Sequence, residues 1–480
     1  MRINGFYLFT ILGILIGSGL HAQTKDENNN RAVYNRIEYF YNANQLDSIY
    51  NLASDSFKEE ISADKLLATL KSVQTLGKIK NAEKVAYSNG AARYRLDLES
   101  ATFALKLAVD SNMQFYGFLI EPFTDEIKKP ENKTDVISNV EAKNPLDLFV
   151  DSIARSYAKE GSAQSLAVAV IHKSKINTFF YGETDKGNNT LPDANTLYEI
   201  GSITKTFTAS LLADMVNKGL IGLDDPITKV LPDSLAQNAD LQQITFKMLA
   251  NHSSGLPRLP DNVDKNPKFT QADPYAAYDR KALFSYLKNF KATKEPGTEY
   301  EYSNLGFGLL GELLSIIGKK PYYQLVKENI LTPLEMVSTF DKINPKAKNL
   351  AIPHDSNGTS VPFWTFQAMS GGGSLKSSLN DLLRYTIAQL TYPETEIQKA
   401  MHLTKQFTLF VPPNSDIGLG WRMNMMDGVI AYEHTGATAG SNAFVGFVPD
   451  EKSVVIILSN STTKMDKMGN ELLQKVLQTK

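Results

Sequence analysis

Apolar residues recur at three- and four-residue intervals in two early stretches, first Val33, Ile37, Phe40 and Tyr41, then Leu66, Leu67, Leu70 and Val73 after Ser62. That spacing predicts helices across residues 28–74. The period then changes to two. Arg93-Tyr94-Arg95-Leu96-Asp97-Leu98-Glu99 alternates polar with apolar, and Phe103, Leu105, Leu107 and Val109 continue the alternation after a short turn. A further strand is expected over residues 113–120, beyond the turn residues Asp110-Ser111-Asn112. Helices followed by an antiparallel meander make a small α+β module over residues 24–123.

Residues 124–144 are rich in Lys, Glu, Asn, Asp and Pro and poor in large apolar side chains, which reads as a linker. Residues 145–480 form a second unit, too long for a single small core and so expected to carry an inserted subdomain. It opens with a helix over 146–159 and apolar strands at 165–171 and 176–181. It closes with strands at 429–432, 443–448 and 453–458 and a helix to Leu477. Helical stretches broken by Gly- and Pro-containing loops lie between. The simplest assembly places both ends in one antiparallel sheet flanked by helices, with the helical middle as a second lobe and a cleft between the two.

Composition narrows the setting. The 480 residues are 42% hydrophobic and 21% charged with a net charge of −2, an ordinary globular balance that gives no reason to expect nucleic acid or an anionic membrane as partner. The one long apolar run, residues 6–20, follows Arg2 and precedes Leu20-His21-Ala22, a small-residue cleavage pattern. Residues 1–22 therefore read as a signal peptide with Gln23 as the mature start, the alternative being an uncleaved anchor. Export in a chain with no cysteine suits a periplasmic or secreted bacterial protein without disulfides and with no stable membrane anchor after cleavage.

Candidate chemistry begins at Glu199-Ile200-Gly201-Ser202-Ile203-Thr204-Lys205, ahead of a helix, expected to be amphipathic, that ends near Gly219. One helical turn brings the Lys205 ammonium against the Ser202 hydroxyl, and a serine needs such a neighbour to act as a nucleophile. The spacing alone decides nothing, because Ser62/Lys65, Ser156/Lys159, Ser285/Lys288 and Ser461/Lys464 share it. Nor does Tyr302-Ser303-Asn304 alone, since Tyr87-Ser88-Asn89 matches it.

Order and context separate Ser202 from these matches. Ser202-x-x-Lys205, then Tyr302-x-Asn304, then His434-Thr435-Gly436 together resemble the serine β-lactamase and penicillin-binding-protein superfamily, most closely its class C-like branch with related esterases and D-amino-acid peptidases. Further cues are Leu223-Asp224-Asp225-Pro226-Ile227, Asn251-His252-Ser253-Ser254-Gly255-Leu256-Pro257, Gly371-Gly372-Gly373, Gly418-Leu419-Gly420-Trp421 and Phe444-Val445-Gly446-Phe447. The resemblance implies a β-lactamase-like domain in which Ser202 forms an acyl-enzyme, with Lys205 and Tyr302 sharing a proton and the ammonium favouring phenolate. It also implies that Asn304 holds a substrate amide or orients Lys205, that Thr435, Gly436 and Ala437 align the acyl chain, and that the Ser202 and Ala437 N–H groups form an oxyanion hole. No cofactor or metal is implied. His434 departs from the usual Lys of Lys-Thr-Gly, and a largely neutral side chain there argues against strong β-lactamase activity. His252 is expected to be structural, His172 and His354 carry no motif, and Trp421 is expected to pack beneath the site.

The expected activity is that of an exported serine hydrolase acting on D-amino-acid peptides, peptidoglycan fragments or small esters. A weak class C-like β-lactamase and a non-catalytic penicillin-binding sensor or scaffold are the alternatives. The first module resembles an NTF2-like cone only in element order; it is expected to pack or to bind a protein or cell-wall partner.

Overall fold

A computed structural model describes residues 25–88, 91–123, 136–160, 165–344 and 347–479. The signal peptide expected at 1–22, and residues 124–135 of the expected linker, lie outside them. The chain divides into two compact units, Met1–Ile127 and Lys128–Lys480.

In the first unit, helices Lys25–Asn42, Leu46–Tyr50, Asp55–Glu60 and Ala63–Gln74 precede a four-stranded antiparallel meander, Ile79–Ser88, Ala91–Leu98, Thr102–Val109 and Phe115–Pro122. Alternation in the second strand puts Ala92, Tyr94, Leu96 and Leu98 into the core, where the Tyr94 and Tyr34 rings stack with centroids 4.0 Å apart. The last strand starts two residues later than the alternation suggests. Asp110 Oδ1 accepts from the Asn112 and Gln114 N–H groups and Met113 turns through a positive φ, so the hairpin consumes Met113 and Gln114. Ser62 caps its helix by accepting from Lys65 N–H, an N-cap use of the Ser-x-x-Lys spacing.

The second unit contains an eight-stranded antiparallel sheet, in spatial order Leu409–Val411, Ser415–Ile417, Arg422–Met426, Val429–Ala437, Asn442–Val448, Ser453–Ser459, Ser165–His172 and Lys175–Gly182. The two ends of the unit meet where Ser453–Ser459 pairs with Ser165–His172, Val455 opposite Val170 and Ile457 opposite Val168. Both faces of these two strands are buried. Leu166, Val168 and Val170 face a core that includes helices Pro145–Glu160 and Asp466–Gln478, whereas Ala167, Ala169 and Ile171 face the core shared with the helical middle of the chain.

That middle packs around two helices, Thr204–Asn217 and Asn304–Gly318. The first differs from the amphipathic segment expected, because every residue from Thr204 to Met215 is buried. Its polar side chains are satisfied internally: the Thr208 hydroxyl donates to Gly371 O at 2.7 Å, and Ser210 and Tyr385 share a hydrogen bond. A helix enclosed by the sheet and the second lobe has no wet face to mark with charges. Among the described residues, no helix is long and apolar enough to cross a membrane.

Candidate active site

Ser202 lies in a 3-10 turn, Gly201–Ile203, that runs directly into the Thr204–Asn217 helix. Gly201 takes φ +47°, and a Cβ there would approach the Ala437 backbone N at 2.7 Å. Gly436 is tighter still, since its Cβ would fall on the Ile200 carbonyl oxygen and within 3.2 Å of Ser202 N. The nucleophile turn and the end of the Val429–Ala437 strand thus touch backbone to backbone, an approach that only glycine permits. This contact brings the Ser202 and Ala437 amides to one locus.

Lys205 reaches the same locus from one helical turn on. It is completely buried, and its Nζ lies 3.0 Å from Ser202 Oγ, 2.8 Å from Asn304 Oδ1 and 2.6 Å from Gly372 O. Among the described residues, no carboxylate stands within ion-pair distance of it. Burial, seconded by the Arg258 charge, holds Lys205 well below the usual lysine range.

Tyr302 and Asn304 are placed by the start of the Asn304–Gly318 helix. Ser303 is its N-cap: Oγ accepts from Gly306 N–H at 2.8 Å and donates to Pro257 O at 2.7 Å. The Ser303 N–H in turn donates to His252 Nδ1 at 3.0 Å, and the buried His252 ring packs 4.4 Å from the Tyr302 ring. Burial holds His252 far below the usual histidine value, so the ring stays a neutral acceptor. Its φ of +63° keeps it in the left-handed region. Lys205 Nζ sits 4.9 Å from the Tyr302 ring centroid. Tyr302 is raised, not lowered: desolvation outweighs the opposing hydrogen bond to Ser202 and keeps the phenol protonated. This reverses the direction expected for a phenol beside an ammonium, because the cost of burying a phenolate dominates.

Two cavities meet at this point. One, of about 710 Å³, is lined by Ser202, Tyr302, Asn304, Thr435 and Ala437 together with Arg258, Tyr275, Trp364 and Phe366. The other, of about 480 Å³, is lined by Tyr302, His434, Thr435, Gly436, Ala437 and Arg422. All eight site residues read from the sequence therefore lie at one place. His434 is half-buried, its Nδ1 2.6 Å from Thr435 O, and desolvation first and the Lys205 charge second lower it from the usual value. It is a neutral wall, not a cation. Trp421 is fully buried, edge-on to Phe447, beside the nucleophile helix, where the Gly420 Cβ position meets Lys205 O.

Some partners were not readable from the sequence. Gly372 O, an acceptor for Lys205, comes from the triple-glycine segment, whose composition signalled a loop but not this contact. Glu199 is buried, accepting from Trp364 N–H at 2.7 Å and from the Thr438 hydroxyl at 2.6 Å, with Lys376 Nζ 4.0 Å away; it ties the strand before Ser202 to the cavity wall. Among the described residues, no cluster of three or more His, Asp or Glu side chains could hold a metal ion.

A serine at a tight turn, a buried lysine, a phenol and a carboxamide around one cleft define a serine acyl-hydrolase. The chain belongs to the β-lactamase family, whose profile matches residues 150–478. It is 28% identical over 361 residues to the D-alanyl-D-alanine-carboxypeptidase/endopeptidase AmpH of Escherichia coli K12, covering 70% of this chain and 91% of that protein. A β-lactamase of Pseudomonas fluorescens is 27% identical over 347 residues, covering 65% of this chain and 92% of that one. Among solved structures, a class C β-lactamase superposes with a TM-score of 0.63 at 22% identity, over 71% of this chain and 98% of that one. A β-lactamase/D-alanine carboxypeptidase from Pseudomonas syringae gives 0.62 at 22% identity, over 70% and 99%. At that identity the superpositions speak for the fold.

Proposed function

We propose that the protein is an exported serine hydrolase that forms an acyl-enzyme on Ser202 and acts on D-amino-acid peptides, peptidoglycan fragments or small esters. The observation that carries this reading is a fully buried lysine, with no carboxylate within ion-pair distance among the described residues, whose Nζ lies 3.0 Å from Ser202 Oγ. As a neutral amine it keeps two N–H groups for Asn304 Oδ1 and Gly372 O and a lone pair for the Ser202 hydroxyl. With its charge suppressed by burial, Lys205 takes the Ser202 proton as Oγ attacks the substrate carbonyl. The Ser202 and Ala437 N–H groups receive the developing oxyanion, each donor being worth roughly 3 kcal/mol. Tyr302, kept as a phenol, donates to the departing amine or alkoxide and is reprotonated from Lys205. Water then attacks the ester by the reverse proton path, releasing the acid and restoring Ser202.

Asn304 holds the amide of the acyl part, and Thr435 to Ala437 align it along the strand edge. The similarity to a D-alanyl-D-alanine carboxypeptidase/endopeptidase and the neutral His434 favour peptides and esters over β-lactams. The test is a rate comparison for the purified protein on a D-alanyl-D-alanine peptide, a p-nitrophenyl ester and a chromogenic cephalosporin. Peptide or ester turnover above cephalosporin turnover is expected; the opposite order overturns the substrate assignment. Export is checked by N-terminal sequencing of the protein recovered outside the cytoplasm, with Gln23 as the expected first residue.

A further inference from the structure

We infer that Arg258 makes the larger cavity selective for acyl groups that end in a carboxylate, of the glutamyl kind. This inference rests on the proposed role of Ser202 and Asn304. Exposure alone would leave Arg258 a solvated surface cation, but three constraints distinguish it. Its backbone is locked to the site, because its carbonyl accepts from both Asn304 N–H and Leu305 N–H, at 3.0 and 3.2 Å. Its guanidinium lies over the Tyr302 ring, 5.2 Å from the centroid, on the ring that Lys205 also approaches. And among the described residues it has no carboxylate within ion-pair distance, although Asp264 lines the same cavity.

The remainder of the lining suits the stem of such a side chain. Tyr275 stacks on Phe366 at 4.9 Å and meets Trp364 edge-on at 5.3 Å, forming an apolar wall. The Tyr275 hydroxyl stands 3.5 Å from Asn304 Nδ2, so this wall starts where the acyl amide is held. An aliphatic stem along the wall delivers a terminal carboxylate to the planar donors of Arg258, a pairing that favours arginine geometry over a point charge. At about 710 Å³ the cavity has room for an amino-acid side chain and the adjoining backbone.

The experiment compares N-acetyl-D-glutamyl and N-acetyl-D-glutaminyl thioesters on the full chain, reading thiol release, which the absence of cysteine leaves free of protein background. Acylation of Ser202 is read in parallel by intact mass. The wild type is expected to prefer the glutamyl donor in kcat/KM. Arg258→Gln is expected to lower the glutamyl-to-glutaminyl ratio at least tenfold, Arg258→Lys to retain part of it, and Arg258→Glu to bring it below one. A purely structural role would lower both rates and leave the ratio in place. The inference is overturned if the wild type shows no preference, if Arg258→Gln leaves the ratio unchanged, or if Arg422→Gln collapses it instead. Thiol release that survives Ser202→Ala, by contrast, overturns the nucleophile assignment on which the inference rests.

Discussion

A lysine buried without a carboxylate is costly as an ammonium and tolerable as an amine, and the whole proton economy of the site follows from that difference. Lys205→Met should cut acylation by roughly a hundredfold or more, the scale of a lost general base; stopped-flow acylation checks this. The sign of the pH dependence follows as well. Activity requires unprotonated Lys205, so kcat/KM rises with pH through the lysine's depressed value. Tyr302 is raised, so the plateau should persist past the ordinary phenol value of about 10. A pH–rate profile falling well before that would contradict the assignment of the phenol as proton donor. His252 supports both groups from behind. His252→Ala should destabilise the fold by about 2–4 kcal/mol in denaturant unfolding, since it opens a cavity and strands the Ser303 N–H. His252→Asn, which tolerates the left-handed backbone and can still accept from Ser303, should lose less. In the sequence, His252 was legible only as a structural histidine. Arg258 was not legible at all, because a single arginine in Leu256-Pro257-Arg258-Leu259-Pro260 carries no periodic signal and acquires meaning only from what the loop faces.

At the scale of elements, the site is a junction of a 3-10 turn, a strand end and a helix start. Gly436→Ala tests the closest of these contacts. A methyl group on the Ile200 carbonyl must push the strand away from the nucleophile turn, and misplacing one oxyanion donor should lower kcat/KM by about a hundredfold while KM changes less. Steady-state kinetics on an ester substrate reports this split, with circular dichroism confirming that the sheet persists. Strands at both ends of this unit were legible from their apolar runs. The Thr204–Asn217 helix misled for a physical reason: threonine and serine at 204, 206, 208 and 210 read as polar, but the Thr204 hydroxyl accepts from Leu375 N–H and the others are spent on the helix backbone and on Gly371, Tyr322 and Tyr385. Polarity in a sequence records hydrogen-bonding capacity and does not say whether water or protein supplies the partner.

At the scale of the molecule, every residue of the site comes from the Lys128–Lys480 unit. A chain beginning at residue 136 is therefore expected to keep kcat/KM on small esters within about threefold of the full protein, as suits an independent domain; a collapse of activity would give the first unit a catalytic part. The order of motifs along the chain made the nucleophile domain recognisable, because Ser202, Tyr302 and His434 lie on separate elements that converge only in this topology. The first unit offers no such constellation of motifs in its sequence, and what its helices and meander made legible is a hydrophobic core. The claim on which the rest depends is that Ser202 carries the acyl group. Intact-mass spectrometry after incubation with a fluorophosphonate, followed by peptide mapping, tests it directly. The predicted result is a single adduct on Ser202 that vanishes in Ser202→Ala; an adduct on another residue, or one that persists in the variant, would contradict the account.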